Sequence, residues 1–345
     1  MKFDFCIGNP PYQVQNAAGT TDGNRSMPVY HTFMEAAYGI SDKTMLITPA
    51  RFLFDAGKTP KDFNQRMLHD KHFKVVKYWP DSADVFAGVD IKGGVSVTYR
   101  DATREYKEIG VMLPFAELVG IVEKVQGSKQ FAPFSELFRP KYSYHFVQKM
   151  YDEKPSLVGC MSKEHKFDME SNVFDLMPGA FEDKPGNNEK YACIHGRTKN
   201  QRVKKYLPER YITYPDNYDY YKVLVPISNG SGTYGETLST PFVANPKEGN
   251  TVTFLSVGAF ESEVDAKRCL VYLHTKFFRA LLGALKITQH NPASVWSLIP
   301  NQDYTQGSDI NWTLSVKVID QQLYKKYGLS DEEIDFIETH VKEMA

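Results

Sequence analysis

Four consecutive residues near the start of the chain, Asn9-Pro10-Pro11-Tyr12, have the types needed to hold a planar amino group. They follow the apolar run Phe3–Ile7 and Gly8, so we expect them at the carboxyl end of a strand, where open α/β sheets bind ligands. The Asn9 side-chain oxygen and the Pro10 carbonyl could accept both N–H groups of a nucleobase amino group. This geometry favours a tetrahedral nitrogen whose lone pair faces an incoming methyl group. Pro11 stiffens the turn, and Tyr12 offers a ring for base stacking; an ordinary turn is the alternative.

The sequence around this motif resembles the amino-directed, adenine-specific DNA methyltransferases of the Asn-Pro-Pro-Tyr class, in particular the methylase and specificity part of type II restriction–modification enzymes. The similarity covers residues 5–13, 29–33, 46–53, 84–95, 287–289, 296–300 and 323–334. It implies that Asn9, Pro10, Pro11 and Tyr12 are catalytic and that a target adenine is flipped out of duplex DNA. The exocyclic amino group would be methylated with S-adenosylmethionine. The resemblance also makes Phe86 a second aromatic wall of the base pocket, with a core phenylalanine as the alternative.

The order of the motifs departs from the family pattern. The glycine-rich cofactor loop and the ribose-binding acid normally precede the Asn-Pro-Pro-Tyr strand, but only eight residues precede Asn9. We therefore expect the S-adenosylmethionine-binding half on a separate or upstream polypeptide, which could also carry a nuclease. A permuted order is the alternative, because Gly230-Ser231-Gly232-Thr233-Tyr234-Gly235 matches Gly-x-Gly-x-x-Gly. Pro241 and Pro246 follow and disfavour the helix that such a loop must open, which favours a glycine turn.

Basic residues are concentrated between Lys190 and Arg210, although Lys+Arg 41 nearly balance Asp+Glu 42 over the whole chain. Tyr191 and Tyr206 are interleaved with them, Tyr211 follows directly, and Glu209 is the one acid among them. We expect contacts to double-stranded DNA in this region, with phosphates as the main targets. The residues assigned to DNA binding are Arg197, Lys199, Arg202, Lys204, Lys205 and Asn229. A solvated charged face is the alternative.

The spacing of apolar residues predicts two domains. Residues 1–128 alternate short strands with amphipathic helices, which indicates an α/β fold. The resemblance implies that this part is a partial Rossmann-like methyltransferase sheet, the C-terminal half of a catalytic domain. Residues 129–345 are rich in proline, tyrosine and glycine, which indicates a loop-rich α+β domain. The resemblance implies that it is a DNA target-recognition domain. Its C-terminal helices include one long helix over Glu263–Lys286 and a helix that begins at a capping box, Ser330–Glu333.

Smaller features of the first domain lead to further expectations. We expect Val95–Tyr99 and Ile109–Val111 to form a hairpin, and Pro60 to occupy the first position of a helix capped by Thr59. Pro80-Asp81 and Glu105-Tyr106-Lys107 contain the residue types of a metal-dependent nuclease core, a minor alternative. The pair Asp90 and Lys92 could form a hydrogen-bonded turn or contact a phosphate.

The composition disfavours several classes of protein. Hydrophobic residues make up 42% and charged residues 24%, as in ordinary globular chains. No apolar run approaches the roughly 20 residues of a membrane helix, and the start lacks a secretion signal, so we expect a cytoplasmic protein. The four scattered cysteines predict neither disulfides nor a cysteine zinc site, and no metal is expected. The leading rival to a methyltransferase is a non-catalytic DNA-binding specificity module or an inactive truncated methylase.

Overall fold

The apolar runs of the first hundred residues form a mixed sheet. Its strands are β1 (Phe3–Gly8), β4 (Ser41–Pro49), β5 (Phe73–Trp79) and β6 (Val95–Asp101). Their order is β1-β4-β6-β5, with β1 parallel to β4 and the other pairs antiparallel. The protein is therefore mixed α/β, as the alternation of strands and helices predicted.

Two helices and a small strand pair complete this part of the chain. The helices are α1 (Tyr30–Ile40) and α2 (Lys61–His69), and β2 (Gln13–Val14) pairs with β3 (Met27–Pro28). Aromatic side chains dominate the core, in which Phe52, Phe63 and Phe73 are almost completely buried. Pro60 is the N-cap of α2 rather than its first helical residue, because its backbone is extended, with ψ at 133°.

The expected hairpin of Val95–Tyr99 with Ile109–Val111 is wrong. Both hydrogen-bonding edges of β6 are already occupied, by β4 on one side and β5 on the other. Residues 109–111 consequently have no free edge to join, and they form no strand.

The computed structural model describes residues 2–14 and 27–344. The chain divides into two units. The N-terminal unit runs to Val119 and also includes residues 231–233 and 283–288, and the C-terminal unit contains the rest. The division falls within helix α3 (Glu117–Gln126).

The C-terminal unit contains several small sheets. Its strands are β7 (His145–Phe146), β8 (Tyr191–Thr198), β9 (Gln201–Pro208), β10 (Ile212–Thr213), β11 (Tyr221–Pro226), β12 (Phe242–Ala244), β13 (Glu248–Asn250) and β14 (Phe254–Phe260). They are ordered β13-β8-β9, β12-β11-β14 and β10-β7. In the first of these sheets β8 lies between a parallel neighbour, β13, and an antiparallel one, β9.

The later helices differ in one respect from expectation. They are α4 (Gln148–Glu153), α5 (Val173–Leu176), α6 (Glu263–His274), α7 (Lys276–Leu285), α8 (Val316–Lys326) and α9 (Asp331–His340). The single long helix predicted over Glu263–Lys286 is wrong, since Thr275 has extended backbone with ψ at 148°. The Asp320 carboxylate accepts hydrogen bonds from the backbone N–H groups of Lys276 and Phe277 and so caps a new helix start.

The capping box predicted at Ser330 and Glu333 is confirmed at the start of α9. Among the described residues, no helix is both long enough and apolar enough to cross a membrane.

Candidate functional site

The segment Asn9–Tyr12 follows directly after β1, whose last residue, Gly8, pairs with Leu46 of β4. Asn9 and Pro11 are exposed, and Pro10 and Tyr12 are half-buried. The Tyr12 carbonyl accepts a hydrogen bond from Val29 N–H at 3.1 Å, which anchors the end of the segment beside α1. The motif is therefore accessible to a ligand at the carboxyl end of a strand, as its sequence position predicted.

Tyr12 borders a cavity of about 310 Å³ in the N-terminal unit. This volume lies at the lower end of the roughly 300–1,000 Å³ of small-molecule sites. The cavity is also lined by Tyr30, Pro49, Arg51 and Asp90. An aromatic ring next to backbone and charged groups is a suitable environment for a planar, polar ligand such as a nucleobase.

Phe86, predicted as a second aromatic wall of a base pocket, lies next to Tyr12. The two ring centroids are 6.4 Å apart, and the planes meet at 63°, so the contact is edge-to-face rather than two parallel walls. The Tyr12 hydroxyl is buried, and burial raises its pKa, although the nearby Asn9 side chain opposes the shift. The phenol thus stays neutral at physiological pH and offers a ring face without an added charge.

The polar groups around the cavity are held by one another. Tyr30 and Thr59 share a hydrogen bond of 2.6 Å between their hydroxyl oxygens, and the Arg51 Nε donates to the Lys92 carbonyl at 2.6 Å. Lys92 Nζ and an Asp90 carboxylate oxygen are 2.7 Å apart. Asp90 and Lys92 therefore form a paired turn in this structure.

A close backbone approach explains why glycine occupies the position that closes this turn. Gly94 has φ of 75°, and a Cβ there would lie 2.1 Å from the Trp79 carbonyl oxygen. Only glycine fits such an approach of two backbone segments.

The basic segment forms one hairpin, made of β8 and β9. The turn consists of Lys199 and Asn200, whose φ angles of 45° and 64° are typical of the two-residue turns that match strand twist. Arg197 lies opposite Arg202, and His195 lies opposite Lys204. Directly opposed residues share one face of a strand pair, so these three cations lie on one face of the hairpin. The side chains of Lys199, Arg202 and Lys204 are exposed.

Several of these cations already have partners within the chain. Arg197 donates to the Asn200 side chain at 2.8 Å, and Arg202 donates to the Thr240 carbonyl at 3.1 Å. Lys205 is on the opposite face of the hairpin and forms an ion pair with Asp183 at 2.6 Å. The acids that balance the segment come from outside it, which local charge counting does not detect.

Acids from outside the basic segment also neutralise Arg210, which pairs with both Glu153 and Glu189. Hydrogen bonds from Tyr211 and Arg210 hold the pKa of Glu153 below its usual range. This end of the basic segment is therefore neutralised inside the protein.

Asn229, assigned to DNA binding from the sequence, is buried at 3% exposure. Its side-chain amide donates to the Thr237 carbonyl at 3.0 Å and its oxygen accepts from Ser239 N–H. Both ends of the amide thus stabilise a loop, and this conformation does not present them to a base edge.

The Gly230–Gly235 segment forms a turn. Gly230, Gly232 and Gly235 have φ of 56°, 90° and 71°. A Cβ on Gly232 would lie 2.4 Å from Thr288 N, and one on Gly235 would lie 2.1 Å from the His340 carbonyl oxygen. The residues between Gly235 and β12 form no helix, so no helix N-terminus is available there to face a charged ligand. Close packing explains these glycines, and the arrangement does not fit a cofactor loop.

The nuclease-type constellation is not assembled. Asp81 lies just beyond the end of β5 and caps a short turn by accepting from Ala83 N–H at 2.9 Å. Tyr106 N–H bonds to the Lys71 carbonyl, just before the start of β5. The seven residues of β5 separate the two ends by roughly 20 Å, too far for Asp81 and Glu105 to share a metal ion.

Three side chains with no sequence signal do come together. Cys193, His195 and Glu248 each place one potential metal-ligand atom within 4.8 Å of the others. They lie on β8 and its parallel neighbour β13. The pairing of His195 with Glu248 spans 53 residues, so sequence spacing could not have revealed it.

Comparisons with known proteins place the first part of the chain in context. Residues 1–86 match a family described as "Eco57I restriction-modification methylase". An "Uncharacterized adenine-specific methylase" of Mycoplasma pneumoniae (strain ATCC 29342 / M129 / Subtype 1) is 34% identical over 96 residues. The N-terminal part of the chain is therefore similar to restriction–modification methylases, and the resemblance predicted from Asn9–Tyr12 is confirmed there. This alignment spans 28% of the chain and 22% of the relative.

A solved structure was also found, that of the type IIL restriction-modification enzyme MmeI in complex with DNA. The match covers 98% of this chain and 56% of that one, at 11% identity and a TM-score of 0.39. A similarity this low establishes neither a shared fold nor a shared function.

Proposed function

We propose that this chain is the base-binding and DNA-recognition part of an adenine-specific DNA methyltransferase of a restriction–modification system. The observation that carries the proposal is the exposed Asn9-Pro10-Pro11-Tyr12 segment at the end of β1, beside the cavity that Tyr12 borders. The sequence similarity of residues 1–86 to restriction–modification methylases supports it.

In this proposal the target adenine leaves the duplex and enters the cavity. The Asn9 side-chain oxygen and the Pro10 carbonyl accept hydrogen bonds from the two amino hydrogens, and the Tyr12 ring stacks on the base. Phe86 lies against the edge of Tyr12 and restricts the movement of that ring. These contacts orient the amino nitrogen, which is conjugated with the ring system and a poor nucleophile until its hydrogens are held in this way.

The methyl donor in this proposal is S-adenosylmethionine, which would supply an electrophilic methyl group. The turn at Gly230–Gly235 does not fit it. We therefore propose that the donor is bound by a further polypeptide segment, joined to this chain or separate from it.

A comparison of the two edge strands of the N-terminal sheet supports the proposal of a further segment. Within residues 2–14 and 27–344, both β1 and β5 are edge strands. Edge strands of self-contained sheets carry lysines, bulges or covering elements that block pairing. The strand β5 has these features: it carries Lys74 and Lys77, and its register shifts between Val75 and Lys77. By contrast, β1 exposes Phe3, Phe5 and Ile7 at 51%, 43% and 75%. We propose that a strand of the cofactor-binding segment pairs with β1.

DNA would be contacted by the face of the β8–β9 hairpin that carries Arg197, Arg202 and Lys204, with Lys199 at its tip. Phosphate contacts of this kind position the duplex, and the C-terminal unit would supply sequence specificity.

The decisive experiment measures transfer of a labelled methyl group to adenine in duplex DNA. The protein used is the complete methyltransferase, in which this chain is joined to or assembled with the cofactor-binding segment. We expect Asn9→Ala to lower the rate by about two to four orders of magnitude, since a hydrogen bond that strengthens in the transition state is removed. Asn187→Ala, which changes an exposed asparagine in the C-terminal unit, is the matched control.

An unchanged rate for Asn9→Ala would show that the four residues are only a turn. A complete assembly that binds duplex DNA specifically but transfers no methyl group, even with unmutated Asn9, would instead support the non-catalytic specificity module.

A further inference from the structure

Cys193, His195 and Glu248 meet on one face of the β13-β8-β9 sheet. Alternate residues of a strand point to the same side, so the side chains of Cys193 and His195 share a face of β8. Glu248 is the register partner of Cys193 on the parallel strand β13. The backbone pairing alone therefore brings a thiol, an imidazole and a carboxylate together.

The distances suit a single bound ion. The three potential ligand atoms lie within 4.8 Å of one another, and His195 Nε2 is 3.0 Å from Glu248 Oε2. Zinc–ligand bonds of 2.0–2.3 Å at tetrahedral angles require ligand atoms roughly 3.4–3.6 Å apart. Displacements of the ligand atoms by about 1 Å would thus convert the observed arrangement into a metal site.

The surroundings resemble a built site more than a solvated surface. Cys193 is 8% exposed, and the side chains of His195 and Glu248 are 16% and 15% exposed. Asn245 donates to the Glu248 carboxylate from its backbone N–H at 3.0 Å and from its side chain at 3.3 Å. Such outer hydrogen bonds orient ligating carboxylates in known metal sites.

We propose that Cys193, His195 and Glu248 bind Zn²⁺, with a fourth coordination position left to water. A thiolate, an imidazole and a carboxylate together match the donor preference of zinc over Mg²⁺ or Ca²⁺, which prefer oxygen ligands only. The site lies within the same sheet as Arg197 and Arg202, on the same side of β8 and β9. A bound ion would tie β13 to the base of the basic hairpin and thereby fix the orientation of its cationic face.

A cationic side chain already lies beside the three proposed ligands. Lys204, opposite His195, is the cation that now lies near Cys193 and Glu248. Its side chain is exposed, which allows the ammonium group to turn towards solvent when an ion binds.

The test uses Co²⁺ as a spectroscopic substitute for zinc in the full chain, after treatment with a chelator. We expect a sulfur-to-cobalt charge-transfer band in the near ultraviolet, and visible bands of the intensity typical of four-coordinate cobalt. Cys193→Ser should abolish the charge-transfer band. Cys160→Ser, which changes a half-buried cysteine outside the cluster, should leave it intact.

A second group of His165, Asp168 and Glu170 could also bind a divalent ion, but it has only nitrogen and oxygen donors. Cobalt bound there gives no sulfur band, so the two sites are distinguished. Absence of the band from the unmutated chain, or a band that survives Cys193→Ser, would overturn the proposal.

A second measurement guards against a Cys193→Ser chain that fails to fold. Zinc that binds only the folded state must raise the melting temperature, and a chelator must reverse the rise. Glu248→Gln preserves the shape of the side chain, and we expect it to weaken cobalt binding by at least about tenfold and to reduce the zinc-dependent rise. A folded Glu248→Gln chain with unchanged metal affinity would also contradict the assignment.

Discussion

The strand β1 and the strand β8 each lead into residues proposed to bind DNA, yet their environments are opposite. β1 is the edge of its sheet, and Ile7 is 75% exposed. β8 has neighbours on both sides, and its Ala192 and Ile194 are completely buried. We propose that another polypeptide segment covers the first strand, whereas the second has neighbours on both sides within this chain.

The same contrast applies to their polar groups. Asn9 is exposed at the end of β1, where its amide can turn to a ligand. On the hairpin, by contrast, Arg197, Arg202 and Lys205 already bond to Asn200, Thr240 and Asp183. The neutral partners of Arg197 and Arg202 leave their charges in place, whereas acids pair with Lys205 and Arg210. A basic stretch of sequence therefore overstates the charge that is available to DNA wherever tertiary structure brings acids to it.

Substitutions in the β8–β9 hairpin and at the end of β1 should differ most in their effect on DNA affinity. Replacing Arg197, Arg202 and Lys204 together with alanine should weaken duplex binding on the order of a hundredfold and flatten its salt dependence by about three units of slope. Asn9→Ala should leave affinity almost unchanged. Binding measured over a series of salt concentrations tests this, with alanine at the exposed lysines Lys149, Lys184 and Lys317 as control. Equal losses in both triple variants would show that the hairpin has no special role.

A charged side chain on β1 tests whether this strand pairs with the cofactor-binding segment. Ile7→Lys should weaken assembly with the cofactor-binding segment by roughly tenfold to a hundredfold or more, since an apolar side chain worth about 1.5–3 kcal/mol on burial is lost. The melting temperature of the isolated chain should not change, because Ile7 is exposed. Val76→Lys, at the bulged edge strand β5, is the matched control. If both variants assemble equally well, β1 is not the pairing edge.

Stacking by Tyr12 should have a smaller effect. Tyr12→Ala should shorten the lifetime of the flipped base by about 5- to 150-fold, equivalent to about 1–3 kcal/mol of stacking. Tyr12→Phe should behave like the unmutated protein, because it keeps the ring. Fluorescence of 2-aminopurine at the target position in the complete methyltransferase reports flipping. A Phe variant as impaired as the Ala variant would assign the role to the hydroxyl instead of the ring.

The smallest effect is expected at Lys205. Its ammonium pairs with Asp183, and it faces away from Arg197, Arg202 and Lys204. Lys205→Ala should therefore change DNA affinity less than about twofold, in keeping with the low value of exposed ion pairs. A loss as large as that of Arg202→Ala would mean that the opposite hairpin face also meets DNA.

Short-range features of the molecule could be predicted from the sequence. The strand before Asn9 and the capping box at Ser330 depend on residues a few positions apart, whose apolar spacing and capping types are visible directly. The motif proposed to bind the base belongs to this class, because all four residues are consecutive. Its position at a strand end could therefore be predicted together with the chemistry proposed for it.

Long-range packing decided the rest. The break at Thr275 depends on Asp320, which caps the second helix from 44 residues away. The partners of β6 depended on which strand edges remained open. The charge of the basic segment 190–210 depended on Asp183, Glu153 and Glu189. The cluster of Cys193, His195 and Glu248 arises from the parallel pairing of β13 with β8. In each case the decisive contact joins residues that are distant in the sequence, and no local propensity encodes such a contact.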